Sequence, residues 1–204
     1  MTIVSVKNGK DADTVRLELS DGSLFSFKPC YLGAVFFDDS RYTPGAEISP
    51  GEEDGFRFAS SCLRGEKAAL RLVSRAEQTG FGLRRKLEKS GYSPSCVSAV
   101  LARLRELNIV DDSRYAQLWL QARLAHRAEG PRRLLAALRG RGISRQDAEA
   151  ALQEVLTPAA EKTLLDTFLR KKRLSGDGGI SKITIILKQE GFSPDLIRDY
   201  RENN

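Results

Sequence analysis

Three stretches of the chain repeat one pattern: LRRKLEKSGYS at 83–93, LLAALRGRGIS at 134–144 and ITIILKQEGFS at 183–193. In each stretch, a glycine has aliphatic residues four and eight positions before it, and an apolar residue and a serine directly after it. The glycines at 91, 142 and 191 are 51 and 49 residues apart. Regular recurrence at such a spacing is typical of proteins built from stacked structural repeats.

Each stretch predicts the end of one helix, a turn and the start of another helix. The i, i+4 spacing of Leu83 and Leu87 places both side chains on one helix face. The glycine stands where a helix-ending residue with positive φ is needed, and the serine is a favourable N-cap for the next helix. An amphipathic segment before each stretch adds a helix, so each repeat is predicted to contain three helices. Units this small are stabilised by stacking on their neighbours.

The first sixty residues have a different pattern. Val15, Leu17 and Leu19 alternate with polar residues, and Asp21-Gly22 separates them from a second apolar run, which predicts a β-hairpin. The segment 44–54 is rich in proline, glycine and acidic residues and is interpreted as a loop or linker. We therefore predict a mainly α protein with a small β-rich N-terminal module. The predicted domains are the β-rich module at 1–55 and three-helix repeats at 57–108, 109–157 and 158–204.

Charge is distributed unevenly along the chain. Residues 1–60 contain six basic and ten acidic side chains, whereas residues 64–145 contain 18 basic and seven acidic ones. The overall net charge of +6 therefore conceals a strongly basic middle region. Such a region favours polyanionic partners, nucleic acid among them.

Several classes of active site are excluded by composition and spacing. The single histidine, His126, rules out zinc sites with two histidine ligands. The three cysteines lie more than thirty residues apart without a CxxC motif, so we expect buried, reduced thiols. The sequence contains no phosphate-binding loop, GxSxG or HExxH motif. We expect neither catalysis nor a cofactor, and we interpret Asp111-Asp112 as a helix cap rather than a metal site.

The sequence also gives no sign of a targeting or membrane segment. Lys7 comes too early for the apolar core of a signal peptide. The apolar runs at 34–37 and 183–187 are far shorter than the ~20 residues needed to span a bilayer. We expect a cytoplasmic protein that does not bind membranes.

The repeated stretches and the residues between them resemble those of a known family. The run from Leu83 to Leu87 before Gly91-Tyr92, and Asp111-Asp112 before Tyr115-Ala116, are similar to the RecX family of recombination regulators. Gly130-Pro131-Arg132-Arg133 continues the match, which covers about 60–204 and is looser in the third repeat. The resemblance implies three tandem three-helix repeats in an elongated, curved array, preceded by a variable β-rich extension.

The resemblance also implies a function. RecX proteins bind the RecA–DNA filament along its groove, limit its extension or promote its disassembly, and reduce its ATPase activity and strand exchange. They also bind single- and double-stranded DNA weakly and without sequence specificity. On this basis we expect a non-enzymatic, monomeric regulator of recombination. The chain departs from the family pattern in the more basic residues 84–86 and in the glycine-rich segment 175–179.

Arg132 and Arg133 are the leading candidates for an anion-binding site. They follow Gly130-Pro131 in the first turn of a predicted helix, where cations are unfavourable but free amide groups can bind phosphate or carboxylate. Arg84, Arg85 and Lys86 lie between two core leucines and are expected to point outward. The full set of predicted DNA- and filament-binding residues is Arg75, Arg84, Arg85, Lys86, Arg123, Arg127, Arg132, Arg133, Arg139 and Arg141.

Some of these residues also fit ordinary structural roles. Arg139 and Arg141 suit the C-terminal end of a helix. Trp119 could stack on a base, but its position in an apolar helix stripe favours core packing. Without a visible platform of aromatic and basic residues, nucleic-acid binding is expected to be nonspecific. A stand-alone DNA-binding protein with helical repeats, or a scaffold for protein partners, remains an alternative.

Overall fold

The computed structural model describes residues 1–9, 11, 13–32, 41–174 and 179–203, which fall into two compact units. The first unit comprises Met1–Gln78 and Leu83–Val110, and the second comprises Thr79–Gly82 and the chain from Asp111 onward. The apolar run at 34–37 and most of the glycine-rich segment at 175–179 lie outside the described residues.

The first unit begins with a three-stranded antiparallel sheet in the order β1-β2-β3. The strands are β1 (Ile3–Asn8), β2 (Val15–Leu19) and β3 (Leu24–Phe27). The predicted hairpin is confirmed, because β2 and β3 pair across Asp21-Gly22 and Gly22 has a φ of +84°. One face of the sheet is apolar and packs on the following helix, where the rings of Phe27 and Phe56 stack with centroids 5.1 Å apart.

That helix, α1 (Pro50–Val73), begins inside the segment predicted as a linker, so the linker interpretation is wrong from residue 50 onward. The amide of Glu52 donates to Ser49 Oγ at 3.3 Å, and the Glu52 carboxylate accepts from the amide of Ser49 at 2.9 Å. This reciprocal capping box, with proline in the first turn, starts a helix despite a loop-like composition.

The domain limits predicted from the sequence, 1–55, 57–108, 109–157 and 158–204, stay predictions.

A buried polar cluster joins the sheet module to α1. Glu66 on α1 is only 3% exposed. Its carboxylate accepts hydrogen bonds from the Tyr31 hydroxyl and, at 2.7 Å, from Lys28 Nζ, which also lies 3.1 Å from Asp13. Burial disfavours the charged form of Lys28, but hydrogen bonds with Glu66 and Asp13 outweigh that effect and raise its pKa. The cluster therefore satisfies a carboxylate that would otherwise be costly to bury.

Three three-helix segments follow the sheet, which confirms the mainly α fold with tandem repeats. The first contains α1 with α2 (Gly80–Lys89) and α3 (Pro94–Glu106). The second contains α4 (Asp112–His126), α5 (Pro131–Arg139) and α6 (Arg145–Val155). The third contains α7 (Pro158–Lys172), α8 (Ile180–Glu190) and α9 (Pro194–Glu202). Each segment has its own cluster of buried apolar side chains, and the first shares its cluster with the sheet.

The repeated glycines end the second helix of each segment, as predicted. Gly91, Gly142 and Gly191 have φ values of +88°, +83° and +84°. The residue after each glycine donates its amide to the carbonyl of the leucine four positions before that glycine, at 3.1 to 3.3 Å. The serine that follows accepts a hydrogen bond from an amide in the first turn of the next helix. Local sequence alone therefore specifies these turns.

Within the second unit, the start of α5 packs directly on the glycine turn of the third repeat. The Gly130 amide donates to the Glu190 carbonyl at 2.9 Å, and the Arg132 amide donates to the Gly191 carbonyl at 3.0 Å. A Cβ added to Gly130 would lie 2.1 Å from the Gly191 carbonyl carbon, and a Cβ added to Gly191 would lie 2.6 Å from the Arg133 nitrogen. Only glycines permit this backbone contact.

The same arrangement recurs once more in that unit. The Thr79 hydroxyl donates to the Arg141 carbonyl at 3.0 Å, and a Cβ on Gly142 would meet the Phe81 side chain at 2.2 Å. The Gly80 amide is satisfied by the carboxylate of Asp112 at 2.8 Å. In both places within the second unit, residues at the start of a helix lie against a glycine turn.

Glu66→Gln is expected to lower the free energy of unfolding by about 3 kcal/mol, because it removes the buried partner of Lys28 and leaves that ammonium group only the more exposed carboxylate of Asp13. Urea denaturation followed by circular dichroism would measure the loss. Glu88→Gln is the control, since Glu88 pairs with Arg84 at 3.7 Å on the surface. It should cost about 0.5 kcal/mol or less. Equal losses in the two variants would contradict the role assigned to the buried cluster.

Gly130→Ala is expected to destabilise the second unit by about 2 kcal/mol, because the added methyl group overlaps the Gly191 backbone. Gly140→Ala is the matched control, since Gly140 caps the end of α5 with helical backbone angles (φ −62°, ψ −16°) and its nearest neighbour would be 3.5 Å from the new Cβ. That variant should be neutral or stabilising by about 0.5 kcal/mol. The fluorescence of the single tryptophan, Trp119, reports unfolding of this unit. A neutral Gly130→Ala would show that the backbone contact is dispensable.

Candidate functional site

The ten predicted binding residues are divided between the two units. Arg75, Arg84, Arg85 and Lys86 belong to the first unit, and the remaining six belong to the second. On α2, Arg84 lies 3.3 Å from Ser98 Oγ and Lys86 Nζ donates to the side-chain oxygen of Gln78 at 2.6 Å. Arg75 is exposed just after α1. Arg85 and Lys86 are exposed and Arg84 is half-buried, in agreement with the outward orientation expected for residues between two core leucines.

Arg123 and Arg127 have a local partner that the sequence did not reveal. Glu129 is 4% exposed, and Arg123 donates two hydrogen bonds to its carboxylate, at 3.0 and 2.8 Å. Arg127 lies 3.9 Å from the same carboxylate. Bidentate pairing of this kind fixes both side chains. Much of the positive charge of Arg123 and Arg127 therefore compensates the buried carboxylate of Glu129.

Trp119 is half-buried against the core of the second repeat, and two arginines flank its ring. The guanidinium carbon of Arg141 lies 4.5 Å from the ring centroid, and that of Arg123 lies 5.6 Å away. The Arg141 guanidinium also donates to the Ala137 carbonyl at 2.7 Å. Core packing, which the sequence favoured, is thus combined with cation–π contacts.

The expectation of free amides at the start of α5 is wrong. The amides of Gly130 and Arg132, which the sequence left free, donate to the carbonyls of Glu190 and Gly191. The Arg133 guanidinium forms a close ion pair with the Glu190 carboxylate. A helix N-terminus binds phosphate only through unsatisfied amides. Here the carbonyl oxygens of Glu190 and Gly191 in the third repeat accept these hydrogen bonds, so the start of α5 forms a packing contact with the end of α8.

What remains available on α5 is one side-chain face. Arg132 and Arg139 are exposed, and neither side chain has a hydrogen bond or ion pair with any residue that the structure describes. With Leu135 and Ala136 between them, they occupy positions i, i+3, i+4 and i+7 of one helix face. This face, termed the α5 face, lines a shallow cleft of about 260 Å³ against α6. It is the candidate contact surface of the second repeat.

Three basic residues near Arg132 escaped the sequence analysis. Lys188, Arg198 and Arg201 line a cleft of about 510 Å³ that also includes Arg132. They lie on α8 and α9, in a part of the chain with little net charge. The i, i+3 spacing of Arg198 and Arg201 was the signal that could have indicated a common face.

The helix cap predicted at Asp111-Asp112 is confirmed, as is the burial of two of the three cysteines. Asp111 is the N-cap of α4 and accepts from the amides of Ser113 and Arg114 at 2.9 and 3.0 Å. His126 is exposed at the end of the same helix. Two cysteines are buried, but Cys30 is exposed, which corrects the expectation for that residue. Within the described residues, no group of three or more histidine, cysteine or acidic side chains could hold a metal ion.

Membrane insertion has no structural support in the part of the chain that is described. None of the helices there combines the length and the apolar character needed to cross a bilayer.

Comparison with known proteins agrees with this architecture. Residues 67–104 match the family model described as "RecX, first three-helix domain", and residues 111–152 match "RecX, second three-helix domain". A crystal structure titled "Crystal structure of regulatory protein RecX" has a TM-score of 0.74 at 22% identity, covering 97% of this chain and 98% of that one. The crystal structure of RecX from Lactobacillus salivarius has a TM-score of 0.61 at 25% identity, covering 71% and 96%.

Sequence relatives give the same result. "Regulatory protein RecX" of Treponema pallidum (strain Nichols) is 36% identical over 141 residues, which is 69% of this chain and 85% of the relative. The protein of that name from Thermobifida fusca is 30% identical over 158 residues, covering 75% and 80%. With both three-helix domains matched and relatives aligned over most of their length, this chain belongs to the RecX family of regulatory proteins.

Proposed function

We propose that this protein regulates RecA by binding the RecA–DNA filament and limiting its extension, ATPase activity and strand exchange. The observation that supports this most directly is the α5 face. It carries two exposed arginines without partners in the described structure, in a chain whose relatives are named regulatory protein RecX. Regulation by binding requires no chemical reaction, so in this proposal the protein acts without catalysis or a cofactor. The proposal also takes the protein to be a monomer in the cytoplasm.

Tandem repeats suit a polymeric target. Each unit offers its own basic surface, α2 in the first unit and the α5 face in the second. Weak contacts made at the same time by one chain add to a much higher overall affinity than any of them alone. A filament presents regularly spaced subunits and phosphates, so several such contacts can form together.

Direct DNA binding is weak and nonspecific in this proposal. Arginine and lysine contacts to phosphate supply affinity without reading sequence, and they weaken as salt rises. The ring of Trp119 is flanked by Arg123 and Arg141, which removes the main aromatic platform that could stack on bases. Both single- and double-stranded DNA are therefore acceptable partners.

The predicted residues divide into two roles. Arg75, Arg84, Arg85, Lys86, Arg132 and Arg139 make the contacts with DNA or filament. Arg123, Arg127, Arg133 and Arg141 act mainly by holding the surface in shape, through Glu129, Glu190 and the ring of Trp119.

The proposal is tested with the ATPase activity of RecA on single-stranded DNA. The protein is added far below the RecA concentration, with DNA in excess. A lower ATPase rate is expected, and it would mean action on filaments, because too little protein is present to sequester the DNA. An unchanged rate together with salt-sensitive DNA binding would instead indicate a stand-alone DNA-binding protein.

Arg132→Glu/Arg139→Glu is expected to weaken this inhibition about tenfold, because it reverses two contact charges at once. Arg84→Glu/Arg85→Glu should have a similar effect through α2. Arg170→Glu/Lys182→Glu is the control, with the same change in net charge at two exposed positions of the third repeat. Circular dichroism would verify that helix content is retained. If both test pairs inhibit like the control, the assignment of contact residues fails, although the family membership stands.

A further inference from the structure

The third repeat carries a cleft of about 510 Å³ between α8, α9 and the start of α5, termed the third-repeat cleft. Its volume lies in the range of binding sites for ligands and short peptide segments. All of its lining residues belong to the second unit. It is distinct from the α5 face and shares only Arg132 with it.

The rim of the third-repeat cleft is entirely cationic. Arg132, Lys188, Arg198 and Arg201 line it from three different helices, and no acidic residue does. Arg198 pairs at 2.9 Å with Asp195, which points to solvent. The other three side chains have no hydrogen bond or ion pair within the part of the chain that the structure describes. Cations converging on a concave surface create a positive potential that selects an anionic occupant.

The floor of the cleft is apolar. It is formed by Phe192, Pro194 and Ile197. Phe192 packs against Phe168 with ring centroids 5.6 Å apart. The hydroxyl of Thr184, the one polar group between floor and rim, already donates to the Ile180 carbonyl at 2.8 Å. Phe192 and Ile197 are only 1% and 4% exposed, so the apolar contact area of the floor is small and is offered chiefly by Pro194. The floor offers no donor for a phosphate.

The backbone amides around the cleft are also occupied. The Arg132 amide donates to Gly191, the Ser193 amide donates to Glu161 at 2.9 Å, and the Leu196 amide donates to Ser193 Oγ at 3.4 Å. An anion here would be recognised only by long, exposed side chains at the rim. A phosphodiester backbone would leave the apolar floor unfilled, whereas a peptide can place an apolar side chain on it and carboxylates at the rim.

We propose that the third-repeat cleft binds a short acidic peptide segment of a protein partner, with one apolar side chain on the floor and flanking aspartates or glutamates at the rim. This proposal goes beyond the regulation of RecA proposed above, because it requires neither DNA nor a filament. The cationic rim orients the acidic peptide and speeds its association with the cleft. The apolar contact favours the peptide over polyanions that lack an apolar side chain.

The test uses the full chain and fluorescence anisotropy with a fluorescein-labelled peptide in which one leucine is flanked on each side by two aspartates. Lys188→Glu/Arg201→Glu is expected to weaken binding of this peptide about tenfold or more. Arg170→Glu/Lys182→Glu, with the same change in net charge away from the cleft, should weaken it less than about twofold. Circular dichroism of each variant verifies that it is folded.

Two further peptides test the two halves of the site separately. Replacing the aspartates by asparagines should abolish binding, and replacing the leucine by serine should weaken it about tenfold, because the apolar floor loses its contact. The serine peptide binding as tightly as the leucine peptide would overturn the proposal, as would equal effects of the test and control variants. So would a labelled oligothymidine that binds more tightly and loses its affinity in Lys188→Glu/Arg201→Glu, since the cleft would then be a nucleic-acid contact. None of these outcomes depends on whether the protein changes the ATPase of RecA.

Discussion

The backbone contact between Gly130 and Gly191 is the constraint on which the second unit depends. Two glycines let the start of α5 approach the end of α8 closely enough for amide-to-carbonyl hydrogen bonds. Those bonds satisfy the first amides of α5, so the contacts proposed for Arg132 and Arg139 involve their side chains alone. The same backbone contact places Arg132 beside α8 and α9. The third-repeat cleft therefore depends on the close approach of Gly130 to Gly191.

Local patterns in the sequence predicted most of the fold. The glycine turns, the serine caps and the hairpin at Asp21-Gly22 depend on neighbours within a few residues, and all three were correct. The start of α1 was missed because proline, glycine and acidic residues suit both a loop and a first helical turn. The Ser49-x-x-Glu52 spacing was the signal that distinguishes the two.

The candidate site was less predictable, for a physical reason. Counting charges identified the basic region, but the effect of each arginine depends on partners that the chain brings together from a distance. Arg133 meets Glu190 from 57 positions away, and Arg132 meets Lys188 and Arg201 across one cleft. Even the nearer pair of Arg123 with Glu129 depends on burial of the carboxylate, which no spacing reveals.

The cluster of Glu66, Lys28 and Tyr31 has a consequence for how the chain could be shortened. The N-terminal module cannot be removed without cost, because the residues just after β3 supply the donors for a carboxylate within α1 and β3 supplies the aromatic ring that packs on Phe56. A truncated chain that begins at α1 would expose the ring of Phe56 and would leave the Glu66 carboxylate without its donors. Engineering a minimal version of this protein would therefore mean redesigning α1 at both positions, for example with a polar residue in place of the ring.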